Sequence, residues 1–268
     1  MRSKIKGLLE LWLREPLAGL TKPQIKPMIK FFRKIRYDLM DKNKTAKYFK
    51  YAVGEIILVV VGILIALQID NWNEQRKVDG EIVKVLTEIR SNLISDSLSI
   101  RQTRIKKSED INIQSTVIHA LESRNIPYDS IENHLGRVMI ARRIVFVDNG
   151  YQLIKKFGLE QLKNQELRNG LINYYTNSTK NIIDDTADDD NEFFTVFLPY
   201  VRKHFLDWHW SERGIPADYE QLKSDQYFLT CLKVNIKNEE STLGALQSGA
   251  RKIQEILPML DETILAYE

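Results

Sequence analysis

Between Tyr51 and Ile69 the chain reads YAVGEIILVVVGILIALQI, and from Ile56 to Leu67 no polar side chain interrupts it. A helix on the surface of a soluble domain shows one apolar stripe and one polar face. This run is apolar on every side, and no later segment is hydrophobic enough to wrap it. It therefore reads as a transmembrane helix. Its uninterrupted core is only about 18 Å long as a helix, against roughly 30 Å of hydrocarbon, so the flanks must complete the span. Tyr48, Tyr51 and Trp72 suit the two headgroup regions, and Lys47 and Lys50 can extend their ammonium groups outward. These interface anchors give a span over residues 48–72. A cleaved secretory signal is not expected, because Ala66, Leu67 and Gln68 at the outer end form no small-x-small site.

Beyond the span, Val78, Ile82, Val85, Leu86, Ile89 and Leu93 recur at intervals of three and four, the period of an amphipathic helix. No proline separates them from the apolar run, and Gly80 is the one weak point. One long helix is predicted to continue to about Leu121, with room for a bend at that glycine. The nearly heptad spacing of Ile82, Leu86, Ile89 and Leu93 suits the core of a bundle. A loop at Asn125 to Tyr128, marked by Pro127, leads to a predicted helix carrying Ile131, Leu135, Val138 and Met139.

The β-branched stretch Ile144 to Val147 has no credible partner strand and reads as an extended connection or a buried helix end. Tyr151 to Phe157 and Glu160 to Tyr175 read as helices, with Gly158 as the stop between them. Helical spacing resumes through Ile182, Ile183, Phe193 and Phe197 until Pro199. After Gly214 and Pro216 it returns over Tyr219 to Tyr267, with a kink expected at Pro258. The fold class is all-α: an N-terminal transmembrane helix continuing into an antiparallel bundle of four or more helices.

Charge decides how the apolar run is oriented. Residues 1–50 hold 14 Lys and Arg against 4 Asp and Glu, a net of +10, which leaves −7 for the rest of a chain whose total is +3. Lys and Arg close to a span stay on the cytoplasmic side. Residues 1–47 are thus a basic cytoplasmic segment, and residues 73–268 lie outside the cytoplasm, which in the inner membrane of a Gram-negative bacterium makes them a periplasmic domain. The basic segment adjoins lipid, so the lipid bilayer and not nucleic acid is its expected partner.

Within the span, Glu55, Val59, Gly62 and Ala66 fall on one face at 100° per residue. Small residues let helices approach closely, and an ionisable residue in a span usually faces protein or water. Two readings stay open: a helix-association face for a homo-oligomer or protein partner, or simple solvation of Glu55 near the interface.

The blocks MIKFFRKIR from Met28 and KYFKYAVGEIILVVVGILIALQIDNWNE from Lys47 resemble a family of uncharacterised single-pass membrane proteins of Bacteroidota, particularly flavobacteria. A further matching block is NGYQLIKKFGLEQLKNQELRNGLINYY from Asn149. The resemblance implies membrane location and a helical outer domain, and it carries no catalytic residue. Members of that family commonly begin at the MIKFF block, so residues 1–27 are either a real extension or an upstream start-site artefact, which mass spectrometry of the N-terminus would settle.

Candidate chemistry is sparse. Asp184, Asp185, Asp188, Asp189, Asp190 and Glu192 supply carboxylates, but without the glycine turn of a calcium loop, and they read as a solvated helix face. His204, Trp208, His209 and Trp210 are a possible ligand site, against the plainer role of capping the bundle end. There is no HExxH pair, phosphate loop or nucleophile elbow. Cys231, the one cysteine, excludes an internal disulfide framework and a cysteine-based zinc cluster. No cofactor or metal is expected. The leading reading is a protein-interaction or scaffold component of the cell envelope. A ligand-sensing domain that signals through a partner membrane protein comes second, and an enzyme third.

Overall fold

The computed structural model describes Tyr37 and residues 45–267 apart from residue 124. Residues 1–27 and almost all of the basic segment therefore lie outside the described residues. The chain divides into two compact units, Met1–Asn73 and Glu74–Glu268. Among the described residues the structure is predominantly helical, with one two-stranded hairpin and one extended segment, so the fold is all-α as the spacing predicts.

Helix α1, Thr45–Ser123, runs through Gly80 without ending. From Ile56 to Leu67 every residue is exposed, and the helix is long and apolar enough to cross a membrane. From Ile82 onward the same helix turns one face inward. Ile82, Leu86, Ile89, Leu93 and Ile100 are all essentially buried, each contributing roughly 2 kcal/mol from the apolar area it hides.

The remaining elements build around that face. A short 3₁₀ turn, Tyr128–Ser130, leads to α2, Glu132–Leu135. After the extended residues 140–148 come α3, Asn149–Phe157, and α4, Gln165–Asn173. Gly158 ends α3 at φ 102, a conformation open to glycine and costly for other residues. Asn164 caps α4 by accepting from the Leu167 N–H at 3.0 Å. The helical path then continues through a wide π turn at Tyr174–Ser178, α5 at Thr179–Glu192, a second π turn at Phe193–Phe197, and α6 at Leu198–His204. Strands β1, Phe205–His209, and β2, Arg213–Pro216, pair antiparallel. Helices α7, Tyr219–Ser224, and α8, Gln226–Tyr267, finish the chain.

Three expectations change. The helix drawn through Ile131 and Met139 stops at Leu135: Gly136 packs against the backbone of Arg213, and Met139 turns to φ 54, although all four apolar residues are buried as expected. Pro199 does not end its helix. It stands in the first turn of α6, just after the wide turn, where its missing N–H is not needed. The helix expected from Tyr219 is broken at Asp225, whose carboxylate accepts from the Phe228 N–H at 3.1 Å and the Tyr200 hydroxyl at 2.8 Å and so starts α8 afresh.

Helices α1 and α8 run antiparallel. Arg90 Nε donates to Asp261 at 2.6 Å, Gln114 to Glu239 at 2.9 Å, and Lys233 Nζ to Glu122 at 2.6 Å, so the partners retreat along α8 as they advance along α1. Two apolar cores result. One joins Ile82 to Ile100 with Leu167, Tyr174, Ile182 and the Leu246 to Leu260 stretch of α8. The other joins Val117 and Leu121 with Leu135, Phe193, Phe197, Phe228 and Leu232.

Candidate functional site

The region between the two cores is buried but polar. Buried positions of α8 step by threes and fours from Phe228 through Leu232, Asn235, Glu239, Thr242, Leu246, Gly249, Ile253 and Ile256 to Leu260 and Thr263. On α1 the same stepping passes from Leu93 through Asp96, Ile100, Thr103, Lys107, Asp110, Gln114 and Val117 to Leu121, all buried except the half-buried Thr103. Such seam positions are ordinarily apolar. Here Lys107, Asp110 and Gln114 of α1 face Asn235, Glu239 and Thr242 of α8, and α5 adds Asp189 at a seam position of its own.

These groups pair selectively. Lys107 Nζ donates to Asp189 Oδ2, both side chains being almost wholly buried, and lies 3.9 Å from Glu239 Oε1. Arg142 reaches in from the extended segment and grips Asp110 with two donors, Nε to Oδ2 at 2.5 Å and Nη2 to Oδ1 at 2.8 Å. A guanidinium fork on a carboxylate is the strongest ordinary ion pair and fixes the geometry of both partners.

Two cations thus face three carboxyls. Asp110 has Arg142 and Asp189 has Lys107, which leaves Glu239 without a cation of its own. Burial pushes the Glu239 carboxyl up to about 8; Lys107 pulls it back, and the charges of Asp110 and Asp189 raise it again. Glu239 is therefore largely protonated at neutral pH, and the layer is then charge-balanced. Burial also raises Asp189, against the pull of Lys107. Among the described residues no hydrogen bond is donated to Gln114 Oε1, Asp189 Oδ1, Asn235 Oδ1 or Glu239 Oε1. All four are acceptors, so a proton on Glu239 adds a donor where the layer is short of one.

About three turns before Lys107, between Leu93 and Ile100 of the first core, Asp96 accepts from the Val147 N–H at 3.0 Å and the Tyr174 hydroxyl at 2.9 Å. Asn92 accepts from the Gly150 N–H at 3.1 Å. Together they fix where the extended segment ends and α3 begins. Burial raises the Asp96 carboxyl despite both hydrogen bonds, and it raises the Tyr174 hydroxyl still more strongly. Beside the polar layer, an open cavity of about 450 Å³ lies between residues 99–106 of α1 and residues 141–145.

The residues singled out from sequence lie elsewhere. Glu55, Val59, Gly62 and Ala66 are exposed along α1, and a Cβ built on Gly62 would touch nothing within 4 Å. Lys50, Tyr51 and Trp72 are exposed on the same helix, while the side chains of Lys47 and Tyr48 lie outside the described residues. Trp208 and Trp210 meet at 5.5 Å between ring centres, and both pack on Phe193 at the edge of the second core. The histidines diverge from them: His204 stacks on Tyr200 at 4.3 Å, and His209 pairs with Asp207 at 2.9 Å. The acidic run is not uniformly solvated, because Asp189 is 2% exposed and serves Lys107. Among the described residues no group of three or more His, Cys, Asp or Glu is placed to hold a metal ion.

Sequence reasoning missed the polar layer as a unit. Its signal was present: extending the seam from Leu93 in steps of three and four lands on Lys107, Asp110 and Gln114.

A family model described as a family of unknown function, DUF6090, matches residues 55–190, half of the chain. The match takes in the apolar run, Lys107, Asp110, Arg142 and Asp189, and ends before Glu239. No curated protein and no solved structure matches the chain.

Proposed function

We infer that this chain, which belongs to the DUF6090 family of unknown function, is a single-pass protein of a bacterial inner membrane whose helical unit binds another protein as a scaffold component of the envelope. The observation that carries this is the run Ile56 to Leu67, apolar on every face and exposed along its whole length, in a chain whose other apolar helices bury their stripes. Water is a poor solvent for such a surface and lipid a good one. Counted from Tyr48 to Trp72, the helix is about 37 Å long, enough to span with some tilt. Lys47, Tyr48, Lys50 and Tyr51 then anchor the cytoplasmic interface and Trp72 the outer one.

The basic residues before the span favour a cytoplasmic N-terminus and a periplasmic helical unit. Glu55, Val59, Gly62 and Ala66 form the face through which the helix associates with a second copy or a partner helix. The likeness to flavobacterial membrane proteins agrees with this placement.

Two measurements test it. The full-length chain should remain in the membrane pellet after an alkaline carbonate wash, and a cysteine placed at the exposed Ser248 should react with an impermeant maleimide in spheroplasts with sealed inner membranes. Release into the supernatant would overturn the anchor; labelling only after lysis would overturn the sidedness.

A ligand-sensing role is the second reading, and the buried polar layer favours it. A half-satisfied polar seam is a poor way to stabilise a bundle, and such layers serve better as elements whose packing responds to a proton or a solute.

A further inference from the structure

We propose that the cavity between α1 and the extended segment 141–145 is a binding site for a small solute bearing an oxyanion, a carboxylate or a phosphate. This deepens the sensing reading and is independent of the membrane anchor, because the cavity lies wholly within the helical unit.

The lining carries three cations, Lys106, Arg142 and Arg143, and no carboxylate. Ser99, Gln102 and Thr103 line the same wall, and none of the three side chains hydrogen-bonds among the described residues. The cations retain donors. Lys106 makes no ion pair among the described residues. Arg143 gives Nε to Asp190 at 2.6 Å, yet its side chain is 72% exposed and both terminal nitrogens stay available. Arg142 is held along one edge by Asp110, itself fully buried, so its remaining Nη1 is presented by a guanidinium that cannot swing away.

The backbone adds to this. Residues 140–146 are extended, and among the described residues none of their N–H groups has a hydrogen-bond partner in the protein; Val147 is the first whose N–H does. Cationic donors therefore stand on both walls, Lys106 on α1 and Arg142 and Arg143 on the extended segment. A group offering several lone pairs and negative charge answers them, and carboxylate and phosphate are the common chemistries that do. A volume of about 450 Å³ is in the range of small-molecule sites, and Ile144 and Val145 give a modest apolar wall. No carboxylate stands in the lining to balance a cation, and three positive side chains repel one.

The test uses the full-length protein in detergent micelles, titrated calorimetrically with inorganic phosphate and with succinate at fixed ionic strength, with sodium chloride as control. Saturable binding of either probe is expected, with an affinity at least tenfold weaker in a Lys106→Ala/Arg143→Ala variant that keeps the parental helix content. Binding of phosphate alone assigns the site to phosphate-bearing solutes, and of succinate alone to carboxylates. Absence of saturable heat with both probes at millimolar concentration, equal competition by chloride, or unchanged affinity in the double variant would each overturn the proposal.

Discussion

The side-chain amide of Gln114 donates to Glu239 Oε2 at 2.9 Å, bridging α1 and α8 at the level where both helices replace apolar seam residues by polar ones. The bond is made to a carboxyl with no cation of its own. Glu239 is faced by Gln114, Lys107 and Asp110 from α1 and Asp189 from α5, with Arg142 one residue further out on Asp110.

The first prediction concerns pH. Glu239 titrates near 8 in the folded chain and near its ordinary 4.5 when unfolded, so the folded state holds the proton more tightly. Its contribution to stability is complete below pH 4.5 and is lost as pH rises towards 8, at up to roughly 1.4 kcal/mol per pH unit for one proton. The raised carboxyls of Asp96 and Asp189 act in the same direction from their own ordinary value of 3.8. Glu239→Gln keeps a neutral side chain of the same size. It should flatten the fall between pH 4.5 and 8 and make the protein more stable at pH 8, by on the order of 4 kcal/mol. Urea unfolding followed by tryptophan fluorescence at several pH values measures this; a variant with the parental slope would show that the proton resides elsewhere.

The second prediction separates the worth of a buried ion pair from the cost of breaking it. Lys107→Met leaves Asp189 charged and buried without its cation, which should cost about 3–5 kcal/mol. Lys107→Met/Asp189→Leu removes both charges and should recover most of that loss, because two buried ions are replaced by well-packed apolar groups. If the double variant were as unstable as the single one, the pair would be holding the three helices in register, not merely cancelling its own charge.

Much of the fold was readable from spacing. Ile82, Leu86, Ile89 and Leu93 declare their helix and its inward face, and the stop at Gly158 follows from a conformation that suits glycine. The hairpin was not readable: Phe205 to His209 has an exposed Leu206 and Asp207, no clean alternation, and a partner only four residues long. Its place depends on Trp208, whose indole N–H donates to the Leu135 carbonyl at 3.3 Å, a contact between residues 73 positions apart. Arg142 was equally hidden. Its role exists only because the extended segment crosses α1 at Asp110, which no local pattern encodes.

The third prediction follows from the approach of α2 to that hairpin. A Cβ on Gly136 would sit 2.2 Å from the Arg213 nitrogen, and the obstruction is backbone that cannot rotate aside. Gly136→Ala should therefore displace β2, weaken the Ser211 N–H bond to the Gly136 carbonyl, now 2.8 Å, and cost about 1–3 kcal/mol. Altered Trp208 and Trp210 fluorescence, with helix content unchanged, is the expected signature. Parental spectra and stability would mean that the hairpin is free to shift on the bundle.

The fourth prediction tests the reading of the apolar run against the physics of its solvent. Val60 stands at the centre of Ile56 to Leu67 and is exposed, with no other element among the described residues packed on it. If its surroundings are hydrocarbon, Val60→Arg places a charge at the costliest depth, about 2.5–3.5 kcal/mol on insertion scales, and should shift a measurable fraction of the chain out of the carbonate-resistant pellet. The same substitution at Gln75, exposed and just beyond Trp72, should leave partition unchanged, since a charge there reaches water. In water the ranking would reverse, because an arginine at position 60 would relieve an exposed apolar surface and improve solubility. Equal pelleting of both variants and the parent, or improved recovery of Val60→Arg in a detergent-free supernatant with parental helix content, would remove the physical basis for the anchor.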